Sequence, residues 1–216
     1  MVKIKKAVEE RTTPLVIHYR MNAGYIPVDH WIQSKAHGGR IIGEACHIFE
    51  LFCFLTHSKP INISVNPINA KSSDVLRSDN FNTTVTFEDG SICSLLYTAI
   101  GNTREQEKER MEVFFDGKSI VMNDFKELIG FGLPKKFNEV TKSPDKGHNN
   151  LLTQFIHAVQ TGAPAPISVE RILMATEVSL LVDSLTKKNG PLKPFETIST
   201  KSLRASGESD NTKSKL

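Results

Sequence analysis

Cysteine is scarce in this chain, three in 216 residues, and the three follow no paired spacing. That pattern excludes a disulfide scaffold and offers no C-x-x-C for zinc or dithiol chemistry. Cys46, Cys53 and Cys93 sit inside apolar segments, as reduced thiols of a cytoplasmic protein would. Charge of one sign is not in excess either: 27 Lys and Arg against 24 Asp and Glu leave a net charge of +3. That is too weak to build the basic field of a nucleic-acid binder. No apolar run reaches the roughly 18 residues of a membrane span. The basic start Met1–Lys6 lacks the apolar stretch of a secretory signal. Glycine fingerprints are missing too. There is no P-loop, no H-E-x-x-H, no G-x-S-x-G, and no G-x-G-x-x-G after a strand. The nearest match, Gly130-Phe-Gly132, lacks the third glycine and the strand–turn–helix setting. What remains is ordinary globular material, 39% hydrophobic and 24% charged, enough for one buried domain with or without tails.

Taken in order, residues 2–11 read as a short charged helix whose Val2, Ile4 and Val8 need a partner to hold it. Leu15 to Asn22 is β-rich and reads as a strand. Tyr25 to Trp31 follows as an irregular loop with two aromatics, a His and an Asp. Such a loop can carry ligand contacts; its composition favours an aromatic plug packed beneath it. Gly38–Gly39 then feeds an amphipathic helix through Leu55. Ile61 to Val65 alternates as a half-buried strand. Glu88-Asp89-Gly90 and Asp116-Gly117 each sit between alternating runs, which predicts two hairpins. Residues 124–147 read as an ordered excursion. Two helices close the domain: His148 to Thr161, ending at Gly162, and Val169 to Lys188, capped by Ser168 and stopped at Asn189-Gly190-Pro191. From about Thr197 the polar composition predicts disorder. The pattern is an α+β fold: an open, predominantly antiparallel β-sheet with helices on one face and nothing in the chain to cover the other.

The most chemical stretch is Gly39 to Glu50. At spacings of three and three, Glu44, His47 and Glu50 should form one polar stripe on a helix. A histidine between carboxylates can transfer protons near neutrality, or can simply be satisfied on a solvated face. Further metal ligands at recognisable spacing are missing, so no metal site is assigned. Cys46 and His47 are adjacent, which sets their side chains about 100° apart on a helix and argues against a thiolate–imidazole pair.

Gly39-Arg-Ile-Ile-Gly-Glu-Ala-Cys-His47-Ile-Phe-Glu50 resembles the glycine-then-histidine motif of the Gfo/Idh/MocA oxidoreductases. Tyr19-Arg-Met-Asn-Ala-Gly-Tyr-Ile-Pro27, with Asp29-His30-Trp31, resembles a branch of that family found among polysaccharide-biosynthesis proteins. Pro166-Ile-Ser-Val-Glu-Arg171 before a long helix is also similar. The resemblance covers about residues 1–192. It implies the family's C-terminal substrate and oligomerisation domain, similar to the C-terminal domain of glyceraldehyde-3-phosphate dehydrogenase, over 13–196. Residues 1–12 would be the helix that links it to a cofactor domain, and 197–216 a polar tail. The Rossmann domain and its Glu-Lys-Pro lysine have no counterpart here, so NAD or NADP is expected to bind a domain other than this one. Carried over residue by residue, His47 is the proton-transfer histidine. Many members have Asp four residues before it; Gly43 stands there, and the acid is Glu44. Arg20, Asn22, Trp31 and Glu44 are candidate contacts to a sugar or nucleotide-sugar substrate. No cofactor-binding residue is assigned, and the chain alone is expected to be inactive. The alternative is a non-catalytic dimerisation or binding module, or a subunit working in trans with a separate cofactor domain. Expected partners are a second copy through the open sheet face or a Rossmann domain, with no nucleic acid and no membrane.

Overall fold

In the computed structural model, residues 1–188 are described. Four helices, α1 (Val2–Glu9), α2 (Cys46–Thr56), α3 (His148–Thr161) and α4 (Val169–Lys187), accompany one sheet. Its eight strands are β1 (Val16–Asn22), β2 (Pro60–Pro67), β3 (Phe81–Phe87), β4 (Ile92–Thr98), β5 (Glu109–Phe115), β6 (Lys118–Asn123), β7 (Glu127–Phe131) and β8 (Glu139–Val140). They lie in the order β2-β3-β4-β1-β5-β6-β7-β8. Every neighbour pair is antiparallel except β1–β4, which is parallel. The expected α+β sheet is present, and β7 and β8 extend it through the segment read only as an excursion. The predicted helix stop at Asn189–Pro191 and the tail from 197 lie outside the described residues.

Both predicted hairpins form, for a local reason. Asp116 and Gly117 each have positive φ, as does Gly90, the backbone state that two-residue turns need and that Gly and Asp adopt at low cost. Strand alternation then sorts the side chains. Ile17, Tyr19 and Met21 of β1, Cys93, Leu95 and Tyr97 of β4, and Met111 and Val113 of β5 are buried against Phe49, Phe52 and Leu55 of α2. Ile4 and Val8 of α1 join this core, which supplies the partner that short helix requires.

The other parity is open. Val16, Ile92, Leu96 and Phe114 are exposed; Arg20 pairs with Leu96 and Arg110 in the ladder. Among the described residues one sheet face is therefore uncovered, as the sequence predicts. α4 packs on α2 and β2, and an ion pair of 2.6 Å joins Arg171 Nε to Glu50 Oε1. α3 is different. It buries only Ala158 and leaves Leu151, Leu152, Phe155, Ile156 and Val159 exposed.

Candidate functional site

The helix that carries His47 is interrupted near its start. Residues Ile41–Ala45 form a π-helical turn, and α2 follows from Cys46. The extra residue of a π turn shifts the phase of everything before it by about one residue, roughly 100°. That sets Glu44 apart from the predicted stripe of Glu44, His47 and Glu50. Glu44 turns to the sheet, while within α2 Glu50 pairs with Arg171 of α4 and His47 is exposed.

Glu44 belongs to a buried clamp built around Arg40, which is only 1% exposed. Arg40 donates from Nε and Nη2 to Glu44 Oε2 at 3.2 and 3.0 Å. It also donates to the carbonyls of Gly24 and Ala23 at 2.6 and 3.1 Å. Its guanidinium lies 5.4 Å from the Tyr97 ring centroid, and its Nη1 is 3.8 Å from Asp79 Oδ2. Tyr97 donates its hydroxyl to Glu44 Oε2 at 2.5 Å, and Lys108 Nζ donates to Oε1 at 2.9 Å. Gln33 Nε2 donates to Asp79 Oδ2 at 2.7 Å. One cation thus ties the end of β1, the start of the helix and the inner face of β4.

The electrostatics follow from these partners. Burial pushes the Glu44 carboxyl up, but hydrogen bonds from Tyr97 and Lys108 and the charges of Lys108 and Arg40 outweigh it, holding the group at about 2. Glu44 stays ionised at any physiological pH, so it can position but cannot supply a proton. Burial raises the Tyr97 hydroxyl, and the Glu44 charge adds to that. Burial likewise raises Asp79, against the pull of Gln33 and Arg40.

His47 is exposed. Among the described residues, the hydrogen-bonding-range neighbour of its ring is Cys46 Sγ, 3.9 Å from Nδ1. Burial raises the Cys46 thiol, so Cys46 is no thiolate partner. Among the described residues no group of His, Cys, Asp and Glu has the arrangement of a metal site.

Among the described residues, no hydrogen bond or ion pair joins the other predicted residues to His47. Arg20 and Asn22 share the parity of Val16 and His18, on the open side of the sheet. Arg20 Nη2 donates to Glu107 at 3.2 Å, while its Nη1 is buried with no partner among the described residues. Asn22 is buried, donating to the Asn102 carbonyl at 2.6 Å. Trp31 is 61% exposed and Tyr25 is exposed too, so the plug favoured by composition is not there. The loop is held by backbone and side-chain bonds of its own, which leaves its aromatics outside. Arg40, Asp79 and Tyr97 were missed. The Arg40–Glu44 spacing of four was the one local signal; the rest depends on strand packing that no spacing encodes.

The described residues do not fit a dinucleotide. The single parallel pair, β1–β4, has no glycine-rich turn feeding a helix at its end, and Gly130 and Gly132 flank the end of β7 before a short 3-10 turn.

No protein-family model and no curated protein matches this sequence. Solved structures do. The chain is similar to the UDP-N-acetylglucosamine 3-dehydrogenase GnnA from Acidithiobacillus ferrooxidans at 15% identity and TM-score 0.62, over 86% of this chain and 61% of that one. It is similar to the aldose-aldose oxidoreductase from Caulobacter crescentus at 13% identity and TM-score 0.69, over 86% of this chain and 58% of that one. An NAD-binding protein from Listeria innocua matches at 17% identity and TM-score 0.58, over 86% and 57%. The chain thus spans about three-fifths of the length of the structures it matches. At these identities the likeness speaks for the fold, and on that ground the chain has the C-terminal-domain fold of the Gfo/Idh/MocA-type oxidoreductases.

Proposed function

We propose that this chain is the substrate-side domain of an NAD(P)-dependent sugar or nucleotide-sugar oxidoreductase, with His47 as its proton-transfer group. The observation that carries the reading is the exposure of His47, on a helix whose preceding turn is fixed by the Arg40 clamp. A general base must be accessible and held in place, and His47 meets both requirements. Two of the similar structures are named for activity on a nucleotide sugar or an aldose, which supports the substrate class. A nicotinamide would supply the hydride chemistry that protein side chains cannot. It would be held by a further domain, joined to this one or separate.

Within this domain, His47 accepts the proton of the substrate hydroxyl. Glu44 stays anionic and orients the helix start. Arg20, whose Nη1 has no hydrogen-bond partner among the described residues, is read as a substrate contact. The open sheet face is read as the seat of a second copy, because Val16, Ile92, Leu96 and Phe114 lie exposed together along three adjacent strands. Light scattering after size exclusion checks this: a dimer is expected, and a strict monomer at high concentration contradicts it.

The functional test joins this domain to the cofactor domain of one of the similar oxidoreductases. Reduction of the nicotinamide is followed by absorbance with aldoses and UDP-sugars. Activity that falls about 10²–10⁴-fold in His47→Asn supports the reading. Equal rates in both proteins refute it.

A further inference from the structure

The chain's only tryptophan is left in water, although tryptophan is among the most buried side chains on average. Its loop is not loose. His30 N–H donates to the Pro27 carbonyl at 3.1 Å, Gln33 N–H to the His30 carbonyl at 2.9 Å, Ser34 N–H to the Trp31 carbonyl at 3.1 Å and His37 N–H to the Ser34 carbonyl at 3.1 Å. The side chains lock as well. His30 Nδ1 accepts from Ile32 N at 3.3 Å, and Ser34 Oγ and His37 Nδ1 are 2.7 Å apart. Gln33 anchors the whole loop to buried Asp79.

Two imidazoles flank the indole. The His30 centroid is 5.5 Å away at a 38° tilt, and His37 meets it edge-on at 5.0 Å and 77°. A rigid, exposed indole between two imidazoles has a specific chemistry. Its electron-rich face attracts the C–H bonds of one side of a sugar ring. In each imidazole Nδ1 is engaged within the loop, and Nε2 can donate to or accept from a hydroxyl at the ring edge. A buried apolar plug needs neither the exposure nor the flanking polar rings.

We propose that His30, Trp31 and His37 form a stacking platform for a pyranose ring. For its ligand class the proposal rests on the sugar-oxidoreductase reading. The ligand is the ring and not a nucleotide base; UDP, whose base carries hydrogen-bonding edges of its own, is the control that separates the two.

Because Trp31 is the single tryptophan, its fluorescence reports on this site alone. The full chain is titrated with glucose, N-acetylglucosamine and glucuronate into the tens of millimolar, with UDP in parallel, and acrylamide quenching is measured at each step. Saturable protection of Trp31 by at least one sugar, with none from UDP, is the expected result. His30→Ala and His37→Ala should each weaken that protection several-fold without moving the unfolding midpoint. Absence of protection by every sugar, equal protection by UDP, or indifference to both histidine substitutions overturns the platform. The two readings fail separately. Sugar-blind fluorescence leaves the His47 assay standing, and a His47→Asn protein of full activity leaves the fluorescence result standing.

Discussion

Two successive turns of one helix behave in opposite ways. The π-helical turn Ile41–Ala45 is bound on every side: Arg40 before it is buried, and Glu44 within it takes hydrogen bonds from Arg40, Tyr97 and Lys108. The first turn of α2 presents His47 to solvent, with Cys46 Sγ beside its ring. Three residues separate a carboxylate held ionised by its partners from an imidazole open to solvent. The difference teaches that neighbouring polar side chains in this region are divided between one that anchors and one that is left exposed. The π turn divides them by shifting the phase between them.

The sharpest way to break the contrast is to remove the anchor. Arg40→Met should destabilise the fold by about 3–5 kcal/mol in chemical unfolding, because Glu44 and Asp79 would be left without their buried cation. Gly101→Ala should follow at about 1–3 kcal/mol, since a Cβ there would lie 2.3 Å from Asn22 Oδ1. Tyr97→Phe comes next or level, at about 1.5–3 kcal/mol, for one lost hydrogen bond to a charged acceptor. Acid should erode the same clamp. The Glu44 carboxyl is held at about 2 against an ordinary 4.5, so its contribution is present above the unfolded value and is lost as pH falls from about 4.5 toward 2. Asp79, raised by burial, pulls in the opposite direction. Comparing the acid limb of the unfolding curve for the native chain and Glu44→Gln isolates the Glu44 part, and the native curve should be the steeper. At the bottom of the scale stands His47→Asn, which should move stability by no more than about 0.5 kcal/mol, as for an exposed side chain whose ring meets only a weak thiol neighbour among the described residues.

Much of the scaffold is legible in the sequence. Asp116-Gly117 and Glu88-Asp89-Gly90 predict their hairpins because few residues tolerate positive φ. Ser168 predicts the start of α4, where its Oγ accepts from Arg171 N at 3.3 Å. The β-rich run Leu15 to Asn22 predicts β1. Three features are not legible. The parallel β1–β4 pair joins segments some seventy residues apart, and nothing local encodes such a pairing. β7 and β8 are short and carry Gly130, which hides their alternation. The π turn has no signature in residue type, yet it decides where Glu44 points. The site was therefore half legible: the motif names His47, while the separation of Glu44 from it, the burial of Arg40 and the exposure of Trp31 depend on contacts between distant segments.

The central claim is that His47 is free for chemistry because the clamp, and not His47, carries the structural load. One paired measurement tests it: turnover and thermal unfolding of His47→Asn, in this domain joined to a cofactor domain. The account predicts turnover reduced about 10²–10⁴-fold at an unchanged unfolding midpoint. Undiminished turnover, or a loss of activity that simply tracks a lowered midpoint, would contradict it.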